Sequence, residues 1–550
     1  MISRDSIRRV SLCLGLALLM QLTGPSPASA DDLAAAIEAR LDLAAAGPAD
    51  GDRAVEELTA ELRRFYSDRN FKPLWIDETG IRPGARVAAA ALAAADLDGL
   101  DPRDYAVSAI VSRLDAQDPA ARADLEVLLS RGIALYAADL MAGRVVPKEV
   151  DSELQIDPER PSAASILAPV ESVPDLAAYL ASFAPATPNY ARLRQALADY
   201  RAIAASGGWS TVEPGPSLKP GMTDPRVPSL RRRLIESGDL STTVEVPPET
   251  ELLYDSALEA AVRRFQWRHG LTQDGIVGKK TVAAMNVPVE QRIDQILLNM
   301  ERRRWMPDDL GDRYVFVNMA DFELKVVDGP RTIHDTRVVV GTPYHRTPVF
   351  SGMMTYIVLN PYWNITPSIA RNEILPKLRK DVTYLEKNKI VVLSDWSEGA
   401  VPIDPRTVDW TQISARNFPF KLRQEPGEHN ALGRIKFMFP NPYNIYLHDT
   451  PARQLFQETV RSFSHGCIRV QNPVDLAAVL LEADGWSKER LEAAIATGEQ
   501  KVITLSRPIP VHLTYLTAWV NKDGSVHFRD DIYGRDRLLA AALLPGRPHM

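Results

Sequence analysis

The stretch "NIYLHDTPARQLFQETVRSFSHGCIRVQNP" runs from Asn444 to Pro473 and contains Ser464-His465-Gly466-Cys467, three reactive side chains around one glycine. "NIYLH" alternates as a half-buried strand does, so Ile445 and Leu447 point to one side and Tyr446 and His448 to the other. At the far end, Asn472 stands where a helix cap belongs and Pro473 at the first helical position, with Leu476, Val479 and Leu480 forming a core face. This predicts Cys467 on a turn between strand and helix, held on both sides, and loops held in that way commonly carry catalysis. Gly466 permits close approach of a substrate or a positive φ.

The rest of the chain restricts what that cysteine can do. Of 550 residues, 45% are hydrophobic and 25% charged, ordinary globular composition with length for several domains. The net charge of -7 offers no basic field for nucleic acid. Arg4, Arg8 and Arg9, the apolar run "VSLCLGLALLMQL" and the small residues "ASA" make residues 1–30 an expected signal peptide, with no transmembrane anchor after its cleavage. Leu12 precedes Cys13 where a lipoprotein signal needs a small residue. Removal of that segment leaves Cys467 as the sole cysteine, unable to close an internal disulfide. Three readings remain open at this point: buried filler, metal ligand or nucleophile.

Residues 31–220 read as an alanine-rich helical scaffold domain, with no side-chain cluster that suggests chemistry. "SGGWSTVEPGPSLKPGMTDPRVP" is a linker by its glycine and proline content. A small three-helix unit follows at 221–296. Its first helix buries Leu230 and Leu234 and stops at Gly238. The second starts at a capping box from Ser256 to Glu259, buries Leu258, Val262 and Phe265, and ends with Gly270 in a left-handed cap. From 313 to 506 the period changes to two: "YVFVNM", "ELKVV", "TRVVVG", "TYIVLN", "KIVVL", "NIYLH" and "KVITL" predict a β-rich domain, a sandwich or partly closed barrel. The pattern lapses over about 366–430, a length typical of a lid or insertion. Residues 507–550 read as two strands joined at Asn521–Gly524, followed by a tail.

A thiol attacks a carbonyl as thiolate, and a histidine within reach can take its proton and return it to a leaving amine. Backbone N–H groups about His465–Cys467 are placed to cradle an oxyanion, a contribution of ~3 kcal/mol per donor. His448, His465 and Cys467 are also legitimate zinc ligands, but they lack a fourth ligand and a closely spaced pair, so no metal or other cofactor is expected.

Two resemblances follow. "VRRFQWRHGLTQDGIVGKKTVAAMN" is similar to a peptidoglycan-binding three-helix domain. His448, fifteen intervening residues and then Ser464-His465-Gly466-Cys467 match the H-x-[ST]-H-G-C signature of YkuD-type L,D-transpeptidases. "RTPVFSGMMTYIVLNPYWNITPSI", "NALGRIKFMFPNPYNIYLHDTP" and "PVHLTYLTAWV" resemble the large Gram-negative subgroup of that family. The resemblance implies a multidomain α and β protein: helical scaffold, small peptidoglycan-binding-like domain, and β-rich catalytic domain with an inserted capping subdomain. It implies a periplasmic enzyme in which Cys467 attacks the diaminopimelyl carbonyl of a peptidoglycan stem peptide and releases D-alanine. The thioester is then resolved by an amine acceptor, either a neighbouring stem or a protein amine; water or a D-amino acid would make the enzyme a carboxypeptidase or exchange enzyme. His448 takes the role of general base, with Ser464, His465 and Gly466 about the loop and Tyr446 and Arg469 as further contacts. Many members carry asparagine two places after the cysteine; here it is Arg469, a residue suited to a carboxylate. Members are typically acylated by carbapenems. A reading from another class is a non-catalytic anchor that uses 221–296 to hold partners at the wall.

Overall fold

The computed structural model describes residues 30–46, 53–242 and 247–544; residues 1–29, and with them the expected signal segment, lie outside the described residues. The chain divides into two compact units, one made of Met1–Leu92, Arg103–Ala134 and Ser162–Leu176, the other of Ala93–Pro102, Leu135–Pro161 and Ala177–Met550. Among the described residues, no helix is long and apolar enough to cross a membrane.

In the first unit, helices Ala30–Ala46 and Arg53–Asp68 accompany a minimal hairpin, β1 (Ile76–Asp77) and β2 (Gly80–Ile81). "LWIDETG" interrupts the helices because its backbone finds a partner in a carboxylate. Glu126, fully buried, accepts hydrogen bonds from the Leu74 and Trp75 amides and from the Tyr66 hydroxyl, and Trp75 Nε1 donates to Ser130 Oγ at 2.8 Å. Burial pushes the Glu126 carboxyl up to about 7.

In the second unit the period-two runs form two separate sheets. Strands β3 (Arg313–Asn318), β4 (Glu323–Asp328), β5 (Arg331–Gly341) and β6 (Phe350–Leu359) are followed by β7 (Trp363–Ile365), β8 (Ile390–Leu393), β9 (Pro402–Ile403) and β10 (Lys421–Gln424). Then come β11 (Ile435–Met438), β12 (Leu447–His448), β13 (Ser462–Ser464), β14 (Ile468–Val470) and β15 (Lys501–Thr514). Nine of these make one sheet, β13-β5-β14-β12-β11-β6-β15-β3-β4, and β4 also pairs with β5, so the sheet closes on itself around its core. The other four make the sheet β7-β10-β8-β9 with a core of its own, including Ile365, Ile374, Leu375, Val392, Trp410 and Leu422. "KIVVL" therefore belongs to the insertion and not to the main sheet. The stretch about 366–430 is a folded subdomain, whose strands other than "KIVVL" were hidden by their shortness. It is spliced between neighbours: β6 and β11 pair antiparallel, Leu359 against Ile435, so the insertion replaces a hairpin turn.

Other expectations shift. The strand after Lys501 does not stop at Arg507. It continues as β15 to Thr514, between β6 and β3, and its register slips between Thr504 and Ile509, where prolines 508 and 510 lack ladder donors. The hairpin at Asn521–Gly524 is β16 (Ala518–Val520) with β17 (Val526–Phe528). It packs on the helices Pro188–Ala205 and Val289–Arg304 through Ala518, Val520 and Phe528 against Tyr190, Leu197 and Ile296. The helix Val289–Arg304 crosses the expected boundary at 296 and buries its charges in pairs, Arg302 with Asp536 at 2.5 Å and Arg304 with Glu301 at 2.9 Å. The three-helix unit encloses Leu230, Leu234, Leu258, Val262 and Phe265, and Gly270 takes φ +63 at the end of its second helix. That helix is capped by Asp255, which accepts from the Leu258 amide, one place before the expected Ser256; Glu259 turns instead to Arg263 at 2.7 Å.

Glu126 has a sign that can be checked. Its folded-state pKa lies above its unfolded one, so its contribution is complete below the unfolded value and is lost as pH rises through about 7. Hydrogen exchange at the Leu74 and Trp75 amides is expected to quicken from pH 5 to pH 8 beyond the intrinsic rate increase. Glu126→Gln should remove that excess, and Glu126→Ala should destabilise the unit by roughly 2–4 kcal/mol by leaving buried donors unpaired.

Candidate active site

The Cys467 loop is built by two short strands and one glycine. Cys467 lies on the bend between β13 and β14, which corrects the expectation of a turn between strand and helix; the helix Pro473–Leu480 begins only after β14. β13 pairs parallel with β5, Ser464 against Gly341, and β14 pairs parallel with β12, Leu447 against Ile468 and His448 against Arg469. Ile445, Leu447, Ile468 and Val470 enter the core. Alternation then turns Tyr446, His448, Cys467 and Arg469 to the opposite face. Asn472 stands before the helix but adopts φ +50 and makes no side-chain cap.

Gly466 at φ +108 makes the bend possible. The buried Ser464 hydroxyl clamps it, donating to the Cys467 carbonyl at 2.5 Å and accepting the Gly466 N–H at 3.1 Å. The Gly466 amide is therefore spent inside the loop and is not free for an oxyanion. Cys467 is partly buried, and its Sγ faces the Asn444 carbonyl at 3.6 Å. That carbonyl is aimed by Asn441, whose side chain bonds the Phe439 and Ile445 carbonyls and the Tyr443 and Ile445 amides.

His448 is buried, and its Nδ1 meets the Asp449 carbonyl. A carbonyl only accepts, so Nδ1 carries the proton and Nε2 holds the lone pair. Burial first, then Arg469 and Lys436, push the imidazole down to about 3, which keeps it neutral. Burial raises the Cys467 thiol above its ordinary value, opposed by hydrogen bonds from Tyr446 and by the charges of Lys436 and Arg469. Lys436 was not anticipated. It stands opposite His448 in the β11–β12 register, and its Nζ lies 3.8 Å from the centroid of the Tyr446 ring. Its signal in the sequence was a lysine at an alternate position of the apolar run "IKFM". Burial lowers its pKa while the thiol raises it.

The structure gathers Tyr446, His448, Cys467, Arg469 and Lys436 on one face and sets His465 elsewhere. His465 Nε2 pairs with Glu373 Oε1 of the inserted subdomain at 2.7 Å, both side chains nearly half exposed, and its ring stands 5.0 Å from that of His345. Arg469 Nε is buried with no hydrogen-bond partner among the described residues. Among those residues, no group of three or more His, Cys, Asp or Glu side chains is arranged to hold a metal ion.

A closed β-rich domain with a cysteine-histidine pair on one sheet face, carried beside helical units, defines the class. Residues 312–502 match the L,D-transpeptidase catalytic domain (YkuD), residues 223–285 the "Putative peptidoglycan binding domain" and residues 60–197 the scaffold domain. A protein of Haemophilus influenzae (strain ATCC 51907 / DSM 11121 / KW20 / Rd) named "Putative L,D-transpeptidase" is 36% identical over 254 residues, 46% of this chain. The chain spans about half of that relative's length, 50%. An L,D-transpeptidase structure from Xylanimonas cellulosilytica DSM 15894 covers 55% of this chain and 100% of its own, at 16% identity and TM-score 0.17. That of a fused Zn-dependent amidase/peptidase/peptidoglycan-binding domain-containing protein from Clostridium acetobutylicum ATCC 824 covers the same shares, at 11% and TM-score 0.15. Likeness that low carries no argument. The chain thus carries a region similar to the YkuD L,D-transpeptidase catalytic domain, with regions similar to the scaffold and peptidoglycan-binding domains alongside it.

Cys467 alkylation by iodoacetamide is expected to titrate above the ordinary thiol range. Lys436→Met, which removes a cation that favours the thiolate, should raise the midpoint further by about one unit. An unchanged midpoint would remove Lys436 from the electrostatics of the sulfur.

Proposed function

We propose that the protein is a cysteine-dependent L,D-transpeptidase of the periplasm that acts on peptidoglycan stem peptides. The observation that carries this reading is the shared sheet face of Cys467 and His448, with Cys467 partly buried and the imidazole held neutral by burial. The sulfur attacks the diaminopimelyl carbonyl of a tetrapeptide stem while its proton passes to His448 Nε2. The C–S bond forms, the C–N bond to D-alanine breaks, and the proton returns to the departing amine. An amine acceptor, a second stem or a protein amine, then attacks the thioester, closing an amide and freeing the thiol.

Since the thiol is raised and the imidazole lowered, the resting pair is neutral and the thiolate forms as attack proceeds. Arg469, buried and without a partner at Nε, is suited to a substrate carboxylate. Lys436 and Tyr446 favour negative charge on sulfur. Glu373, reaching from the insertion to His465 beside the nucleophile, supports a capping role that covers the acyl intermediate. The small three-helix unit would hold the enzyme on its polymer. The YkuD and peptidoglycan-binding matches support this substrate class.

Mass spectrometry after incubation with tetrapeptide muropeptides is expected to find a thioester on Cys467 and new crosslinked products. A covalent carbapenem adduct should form at the same sulfur. Cys467→Ala should abolish both and leave wall binding intact; crosslinking by that variant would favour the anchor reading instead. The acid limb of kcat/KM should lie near pH 3, where buried His448 titrates, so that the rate does not halve near pH 6.5. Glu373→Gln should raise hydrolysis of the thioester relative to aminolysis, and an unchanged ratio would separate the cap from water exclusion.

A further inference from the structure

The Cys467 loop is held from behind by a buried hydrogen bond from Thr347, which is itself tied to residues outside 312–502. The Gly466 carbonyl accepts from the Thr347 hydroxyl at 2.7 Å, and the same hydroxyl accepts the Gly341 N–H at 3.0 Å. Tyr533 donates its hydroxyl to the Gly341 carbonyl at 2.7 Å. The Thr347 carbonyl accepts from Arg535 Nη2 at 3.1 Å, and Arg535 Nε reaches Asp151 Oδ2, also at 3.1 Å. Arg346 closes on both oxygens of Asp151 at 3.0 and 3.2 Å. The Arg535 and Asp151 side chains are 0% and 2% exposed.

Two further features tie this chain of bonds to position. The stretch after Asp151 runs as a short parallel strand beside the loop between β5 and β6: Leu154 bridges Val349, Gln155 N–H reaches the Val349 carbonyl at 2.8 Å, and Val349 N–H reaches the Glu153 carbonyl at 2.9 Å. There is also no slack between that loop and the nucleophile. A Cβ on Gly341 would lie 2.0 Å from the His345 carbonyl oxygen and 3.1 Å from Gly466 Cα. With Ser464 on the Gly466 amide and Thr347 on its carbonyl, both peptide planes of Gly466 are set. A buried ion pair is weak evidence for stability; here segments around Asp151, Thr347 and Arg535, far apart in sequence, are bonded in series, and the last bond, from Thr347, is to the Gly466 carbonyl next to Cys467.

We propose that Asp151, Arg535 and Thr347 form a positioning relay that fixes the Gly466–Cys467 peptide. The aim of the nucleophile then depends on an arm of the helical segment and on the C-terminal helix Arg535–Leu543, as well as on the transpeptidase domain. This rests on Cys467 being the nucleophile. Thr347 touches no substrate; it acts through Gly466.

The test is the full chain carrying Thr347→Val or Thr347→Ser. Thr347→Val should slow acylation of Cys467 by stem peptide about tenfold to a hundredfold, the scale of a displaced nucleophile, with KM changed less than about threefold. It should also slow Cys467 alkylation and displace its pH midpoint. Thr347→Ser, which keeps the hydroxyl, should stay within about threefold of wild type. Wild-type acylation by Thr347→Val, or a serine variant as slow as the valine one, overturns the relay. If Thr347→Val does not fold, Arg346→Met decides, since it removes one of the two arginines that hold Asp151 and its side chain is 26% exposed; slower acylation supports the relay and an unchanged rate overturns it. If wild type forms no thioester, the functional reading fails, while alkylation of the variants still decides the relay.

Discussion

Parallel pairing of β12 with β14, Leu447 against Ile468 and His448 against Arg469, decides which side chains can meet at the sulfur. A slip of one residue would turn Cys467 into the core and Ile468 onto the open face. Ile445, Leu447, Ile468 and Val470, all buried on the reverse side, oppose that slip. Each is worth roughly 1.5–3 kcal/mol of burial, so four together make the alternative register untenable. β11 extends the same face by one strand and brings Lys436 opposite His448.

On that face two electrostatic effects oppose each other. Burial favours the neutral thiol and the neutral imidazole, while Lys436, Arg469 and Tyr446 favour the thiolate. The net result is a sulfur whose pKa is raised and an imidazole whose lone pair is free at neutral pH. The cost of holding two cations beside a half-buried sulfur makes chemical sense where negative charge develops and must be met without solvent. Lys436 also rests over the Tyr446 ring, which lessens the cost of its own burial.

The nine-stranded sheet is completed by chain from elsewhere. The insertion between β6 and β11 brings Glu373 to His465, the arm after Asp151 reaches the loop between β5 and β6, and the C-terminal segment supplies Tyr533 and Arg535. The closed sheet provides a rigid frame, and its loops receive their last constraints from these additions. The β16–β17 hairpin is tied to the helix Val289–Arg304 by the same means: Thr517 Oγ1 bonds Asn299 and Asp536.

Local pattern made much of this legible. Period-two runs marked most strands, Leu230, Leu234 and Phe265 marked a helical core, and the SHGC glycine marked a bend. Each depends on neighbours within a few residues, and alternation or helical spacing records those directly. The subdomain core around Trp410 and Leu422 was not legible, because its strands are two to four residues long and only "KIVVL" among them showed a period. Asp151 read as scaffold, Lys436 fell in a stretch assigned to no strand, and Glu373 read as part of a polar stretch. Sequence by itself determined the chemistry available, the Cys467 thiol with two nearby histidines, and the side of each strand that faces the core. Only tertiary structure decided that His448 shares the sulfur's face while His465 turns to Glu373, and that Asp151 stands behind the Cys467 loop. Those choices come from strand pairing and from ion pairs between residues about ninety to nearly four hundred positions apart, which no local periodicity encodes.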